Sequence, residues 1–163
     1  MLDCEGVSQF DERFEALWND MLSRSRVIGE RSPGFLHWKF GRHPSGRIFV
    51  MGIFSRDRTI VSGYIASRFV RDSLEIIDFA LPANKMDADT LLAAFIRHGR
   101  ALKVDSISVN FMQNASHQRT FGRWGFFGGK GPHRNVYAFS ADEFWQGVNR
   151  AEDWLLTQCD EDI

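Results

Sequence analysis

Cysteine is scarce: Cys4 and Cys159 are the only two in 163 residues, and they lie at opposite ends of the chain in acidic surroundings. Neither belongs to a metal-type spacing, and acidic neighbours disfavour the thiolate, so both are expected to be unpaired thiols without a catalytic role. The five histidines, His37, His43, His98, His117 and His133, are scattered without ligand spacing, so no metal is expected. Long apolar runs are also missing. Nothing approaches the roughly 20 residues of a membrane span, and Met1 leads into acidic residues, which is not the pattern of a signal peptide. A cytoplasmic protein is expected. Charge of one sign is lacking too: 20 basic against 21 acidic side chains leave a net charge of −1. No global field draws the protein to nucleic acid or to a membrane surface. There is no internal repeat, low-complexity tract or linker.

What is present suits one domain over residues 1–163, with 44% hydrophobic residues to build its core. Phe10, Phe14, Leu17, Met21 and Leu22 recur at helical spacing, and Ser8 with Asp11 three residues on gives a capping pattern. "PGFLHWKF" predicts a second, shorter helix, with Pro33 in its first turn and Gly41 at its stop. "RIFVMGIF" and "IVSGYIASRFV" read as strands joined through "SRDRT" into an antiparallel hairpin, and "SLEIIDFAL" is a third strand closed by Pro82. A capped helix opens around Asp87 and carries Leu91, Leu92, Phe95, Ile96 and Leu102. Then follow strand "SISVNF", a helix within "NASHQRTFGRWGF" that ends near Gly125, and strand "NVYAFS" before an acidic tail expected to be frayed. "GGKGPHR" lacks the spacing of a phosphate loop and reads as a flexible turn.

The order predicts an α+β fold: antiparallel hairpin strands, then a parallel β-α-β crossover that sets strands 74–81 and 106–111 side by side, with helices on both faces. Ligands in such sheets sit beyond the carboxyl ends of the strands.

Within "NASHQRTFGRWGF", Asn114 is followed seven positions on by Phe121, and Gly125 and Phe126 stand four and five beyond that. This spacing resembles the GNAT-type N-acyltransferase superfamily. "FDERFEALWNDM" and Phe35, His37, Trp38, Lys39 and Phe40 look like the start of the C-terminal lobe of two-lobed bacterial GNAT proteins. The resemblance implies acetyl-CoA or another acyl-CoA as donor and an amine as acceptor. It also implies direct attack of the amine while a strand amide at Ala80 or Leu81 polarises the thioester carbonyl. Phe79, Ala80, Leu81, Lys85, Asn114 and Phe121 are the implied cofactor-binding residues.

Two features depart from the family pattern. The loop "LPANKMDADT" has no glycine where backbone amides and a helix N-terminus usually hold a pyrophosphate, and it brings Asp87 and Asp89 there instead. Phe121 stands where many members have a proton-donating Tyr.

Asp78 and Glu75, on the strand beside the expected cleft, are candidate general bases, and alternation puts them on opposite faces. His117 is either an acid near the thioester sulfur or an exposed polar residue on the first turn of a helix. Trp38, Trp124 and Trp145 are core residues or walls of an acyl or acceptor pocket. Three functions compete: an N-acyltransferase, a non-catalytic GNAT-like ligand-binding or regulatory domain, and one lobe of a partner-completed protein. The last follows from the little sequence before Phe10, which is expected to leave a sheet edge unpaired and to favour a homodimer or a complex with another lobe.

Overall fold

A computed structural model of the chain describes residues 2–41, 48–111, 115–128 and 153–160. Three consecutive strands carry the sheet: β3 (Ile48–Phe54), β4 (Val61–Val70) and β5 (Ser73–Ala80), each antiparallel to the next. The β3–β4 turn closes as expected through "SRDRT". The Ser55 amide donates to the Ile60 carbonyl at 2.9 Å, Asp57 accepts from Ser55 and Thr59, and Arg58 takes φ 60°. β6 (Ser106–Val109) lies parallel to β5, with Ser73 opposite Ser106 and Ile76 opposite Val109, so the crossover is the one predicted. The other edge differs from expectation. Asp3–Gly6 forms β1, antiparallel to β3 with Asp3 opposite Phe54, so the short segment before Phe10 does supply a first strand. The sheet order is β1-β3-β4-β5-β6.

Helix α1 (Glu12–Arg24) buries Phe14, Leu17 and Met21 on one stripe. Its cap is Asp11, not Ser8: the Asp11 carboxylate accepts from the Arg13 amide at 3.1 Å, satisfying one of the free N–H groups of the first turn. Phe14 meets Tyr64 with ring centroids 6.2 Å apart, which puts α1 on one face of the sheet. Helix α2 (Pro33–Leu36), capped by Ser32, runs into a π-helical turn over His37–Gly41. Helix α3 (Lys85–Ala101) covers the opposite face, where His98 stacks on Phe49 at 4.2 Å. It starts two residues before Asp87, because Asn84 is the cap and accepts from the Met86 amide at 2.9 Å. It ends in a Schellman motif, with Lys103 at φ 58° and the Val104 amide donating to the Gly99 carbonyl. Helix α4 (Ala115–Arg123) ends the same way on Gly125, φ 85°, with Phe126 donating to the Phe121 carbonyl.

A bulge in β5 revises the facing of two candidate residues. Ala66 pairs with Asp78 and Ser67 with Ile76, leaving Ile77 as the extra residue. Asp78 therefore stands opposite Ala66 and Glu75 opposite Arg68, so the two carboxylates share a face instead of alternating.

On that face the described end of the chain is packed, which corrects the expected fraying over 153–160. Trp154–Leu155 forms β7, parallel to β2 (Val27–Ile28), and Thr157 bridges antiparallel to Phe111. Arg31, 1% exposed, donates to Asp78 at 3.0 Å and to both oxygens of Asp160 at 2.6 Å. Tyr64 donates to Asp78 at 2.6 Å, and so does Thr157, at 2.7 Å. Cys4 and Cys159 are unpaired thiols, and burial pushes the Cys159 pKa up to about 12. The expected strand "NVYAFS" lies outside the described residues.

Replacing Arg31 with Ala strips the buried Asp78 and the partly buried Asp160 of their cation. Urea denaturation is expected to show a loss of about 3–5 kcal/mol, as for one partner removed from a buried pair.

Candidate functional site

β6 leaves β5 at Ile76, and β5 continues to Ala80 before the chain turns through Leu81 and Pro82 into α3. Gly63 permits this turn to lie close to β4, since a Cβ there would stand 2.4 Å from the Ala80 carbonyl oxygen. A cleft of about 260 Å³ opens at this carboxyl end of β5, between the start of α3 and the inner side of α4. Its walls carry four cations. Arg24 comes from the last turn of α1, Lys85 from the first residue of α3, and Arg119 and Arg123 from successive turns of α4. Ser116 and Thr120 add hydroxyls. Arg24 is held in place by an ion pair with Asp20 and by donation to the Leu81 carbonyl at 3.4 Å.

The two acidic residues of the glycine-free loop do not cap α3. Asp89 turns toward α4, where it accepts from Trp124 Nε1 at 2.8 Å and from Arg123 at 3.2 Å; these partners, Trp124 foremost, lower its pKa. The repulsion expected from Asp89 is thereby partly offset, while Asp87 stays in the first turn of α3. Cations and a positive helix end facing a polar cleft are suited to an anion.

His117 lines the cleft and connects it to an aromatic cluster behind, meeting the Phe79 ring edge-on at 5.2 Å and the Phe111 ring at 6.1 Å. Phe121 sits 5.1 Å from Phe79, 5.5 Å from Phe111 and 5.1 Å from Phe126, and is 2% exposed. The imidazole is thus not the exposed polar group that one reading of the sequence allowed. Burial, with the nearby Arg24 charge, lowers its pKa to about 4. It is neutral at pH 7, so it has no imidazolium proton to give there.

The remaining candidates divide between the cleft and other places. Leu81 and Lys85 line the cleft, Ala80 ends the strand beside it, and Phe79 and Phe121 are buried behind His117 without lining it. Asn114 and Trp145 lie outside the described residues. Asp78, fully buried, spends its oxygens on Arg31, Tyr64 and Thr157, so an incoming amine does not reach it. Glu75 accepts from Arg68 at 2.7 Å, and the Gln158 amide, oriented to satisfy both, lies 3.2 Å from its other oxygen. Trp124 joins α4 to α3, whereas Trp38 is 63% exposed. Sequence reasoning missed Arg24, Arg119 and Arg123. The i,i+4 spacing of Arg119 and Arg123 was a usable signal; Arg24 had none. Among the described residues, no group of three or more His, Cys, Asp or Glu is placed to hold a metal ion. No described helix is long and apolar enough to cross a membrane.

Neither a protein-family model nor a curated protein matches the chain. Solved structures do. A ribosomal-protein-alanine N-acetyltransferase from Brucella melitensis biovar Abortus superposes with a TM-score of 0.62 at 8% identity, over 85% of this chain and 100% of that one. Glucosamine-6-phosphate N-acetyltransferase from Arabidopsis thaliana gives 0.60 at 10% identity, over 85% and 99%. An aminoglycoside acetyltransferase from an uncultured soil metagenomic sample gives 0.58 at 12% identity, over 85% and 97%. The chain has the GNAT-type N-acyltransferase fold, as the spacing around Phe121 implied.

The lowered His117 pKa makes stability depend on pH. The unfolded chain takes up a proton below about pH 6.5 while the folded state resists it down to about pH 4, so stability falls as pH drops through that window. Between pH 7 and 5 the expected loss is about 2 kcal/mol. Urea denaturation at the two values checks it, and His117→Leu should flatten the dependence. Phe121→Tyr, which adds a hydroxyl among rings, is expected to cost about 1–3 kcal/mol in the same assay.

Proposed function

We propose that the protein is an acyl-CoA-dependent N-acyltransferase, most simply an acetyltransferase, moving the acyl group to an amine by direct attack. The observation that carries this reading is the cleft at the carboxyl end of β5, where Arg24, Lys85, Arg119 and Arg123 surround the first turn of α3. A nucleotide-bearing thioester presents several phosphate charges, and these cations take the place of the glycine-rich loop that the sequence lacks. The residues present therefore fit the group. Lys85 and Arg24 hold phosphate oxygens from two sides of the loop. The amide at Ala80 or Leu81 would donate to the thioester carbonyl, with Phe79 and Phe121 supporting His117 from behind.

Bound acyl-CoA supplies an activated carbonyl. The amine nitrogen would form a bond to that carbon as the carbon–sulfur bond breaks, and the proton that the nitrogen sheds would pass through solvent to the departing thiolate, leaving an amide and a free thiol. With Asp78 and Glu75 committed to arginines, His117 is the titratable group at the cleft floor, acting as a neutral hydrogen-bond donor to the leaving sulfur. The three neighbours named above are acetyltransferases of a ribosomal-protein alanine, glucosamine-6-phosphate and aminoglycosides, which supports an amine acceptor. β1 supplies the strand whose expected absence favoured a partner-completed lobe, which leaves that reading resting on the resemblance to two-lobed proteins.

Acetyl-CoA at a hundred times its dissociation constant is expected to add roughly 2.7 kcal/mol to the native state and raise Tm by about 5–10 °C. Lys85→Glu combined with Arg119→Glu should weaken binding by at least about tenfold, since each charged contact contributes roughly 1.5–3 kcal/mol. Thiol release from acetyl-CoA over an amine panel then reports turnover. Binding without turnover points to the non-catalytic ligand-binding reading, and no Tm shift with millimolar acetyl-CoA or longer acyl-CoAs ends the donor reading.

A further inference from the structure

Two of the cleft's cations have a counter-ion within the chain. Arg24 pairs with Asp20 one turn earlier on α1, and Arg123 pairs with Asp89 between α4 and α3. The second pair differs from the first, because its carboxylate has another partner. Asp89 Oδ1 accepts from the Trp124 indole at 2.8 Å as well as from Arg123 at 3.2 Å.

The two donors are not equally committed. Trp124 is half-buried and has a single N–H, so its bond to Asp89 is fixed. Arg123 has five N–H groups on a side chain that is 41% exposed, and it lines the cleft. An ion pair as exposed as this one contributes little, so the guanidinium exchanges partners readily. Asp89 also stands one turn beyond Lys85 on α3. Trp124 foremost, then Arg123 and Lys85, lower its pKa, which keeps the carboxylate ionised at pH 7. One carboxylate thus opposes two of the four cleft cations.

We propose that Asp89 sets the affinity of the cleft: it competes with a bound phosphate group for Arg123, while Trp124 keeps the carboxylate anchored as Arg123 turns to the ligand. Asp89 acts through Arg123 and does not itself touch the ligand. The inference rests on the donor reading above and adds the residue that limits how tightly the donor is held.

Titration calorimetry on the full chain at low ionic strength, with CoA as the probe, tests it. Asp89→Asn removes the charge and keeps an oxygen for Trp124, so CoA should bind about three- to tenfold more tightly than to the wild type. Asp87→Asn removes a charge from the first turn of the same helix, where it has no ion pair among the described residues, and should give a smaller gain. In an Arg123→Gln background, where the competition is gone, the gain from Asp89→Asn should fall to that of Asp87→Asn. If Asp89→Asn does not fold, Asp89→Gln takes its place with the same expectation. Three results overturn the inference and leave the donor reading intact: CoA binding by the folded Asp89 variant that is unchanged or weaker, a gain no larger than that of Asp87→Asn, and a gain that persists in full without Arg123. Failure of CoA to bind the wild type and every variant at millimolar concentration overturns the donor reading, and the inference with it.

Discussion

One guanidinium holds together three parts of the chain that are far apart in sequence. Arg31 sits on the connection after β2, Asp78 on β5 and Asp160 in the C-terminal turn, and all three meet in the interior. A permanent charge enclosed so fully is tolerated only with its partners in place, because the unpaired ion would cost several kcal/mol. Burial works against the guanidinium's charge, and Asp78 and Asp160 more than offset it, so its pKa is raised. Few other arrangements of the C-terminal turn would bring Thr157 and both Asp160 oxygens to the same cation, so the cluster specifies the packing as well as joining it.

The β5 bulge makes that cluster compatible with a cleft. Adjacent residues of the strand serve opposite faces: Asp78 turns to Arg31 and Tyr64 under α1, and Phe79 turns to His117 and Phe121 under α4. The extra residue, Ile77, brings Asp78 into phase with Glu75 and so collects the polar groups on one side. The other side is left aromatic. The same strand thus anchors the chain end and backs the site.

Overall charge balance hides a strongly local field. A net charge of −1 excludes a polyanion drawn in over the whole surface, yet four cations converge within one cleft. Asp89 would oppose them, but it is engaged by Trp124 and Arg123. Two of the four cations are themselves ion-paired, Arg24 with Asp20 and Arg123 with Asp89. The depressed His117 pKa belongs to the same economy of space: the imidazole packs as a ring among rings and lines the cleft as a neutral polar group.

The sequence by itself determined the elements and their order. The spacing of Phe14, Leu17 and Met21, the apolar runs of β3 to β5, the stop at Gly125 and the parallel crossover all rest on residues a few positions apart, where backbone periodicity leaves its mark. It also carried the spacing around Phe121 that resembles the fold's family, and it identified Leu81 and Lys85 as cleft residues. Tertiary structure alone decided what Asp78 and Glu75 do, because a bulge shifts the face by one residue and the Asp78 partners Arg31 and Thr157 stand 47 and 79 positions away. It alone brought Arg24 from α1 to the cleft, and it packed residues 153–160 of a tail that looked frayed against the sheet, with Asp160 ion-paired to Arg31. Periodicity reports which way a side chain points from its own element; which residue waits there is fixed by packing between distant segments, and no local pattern records that.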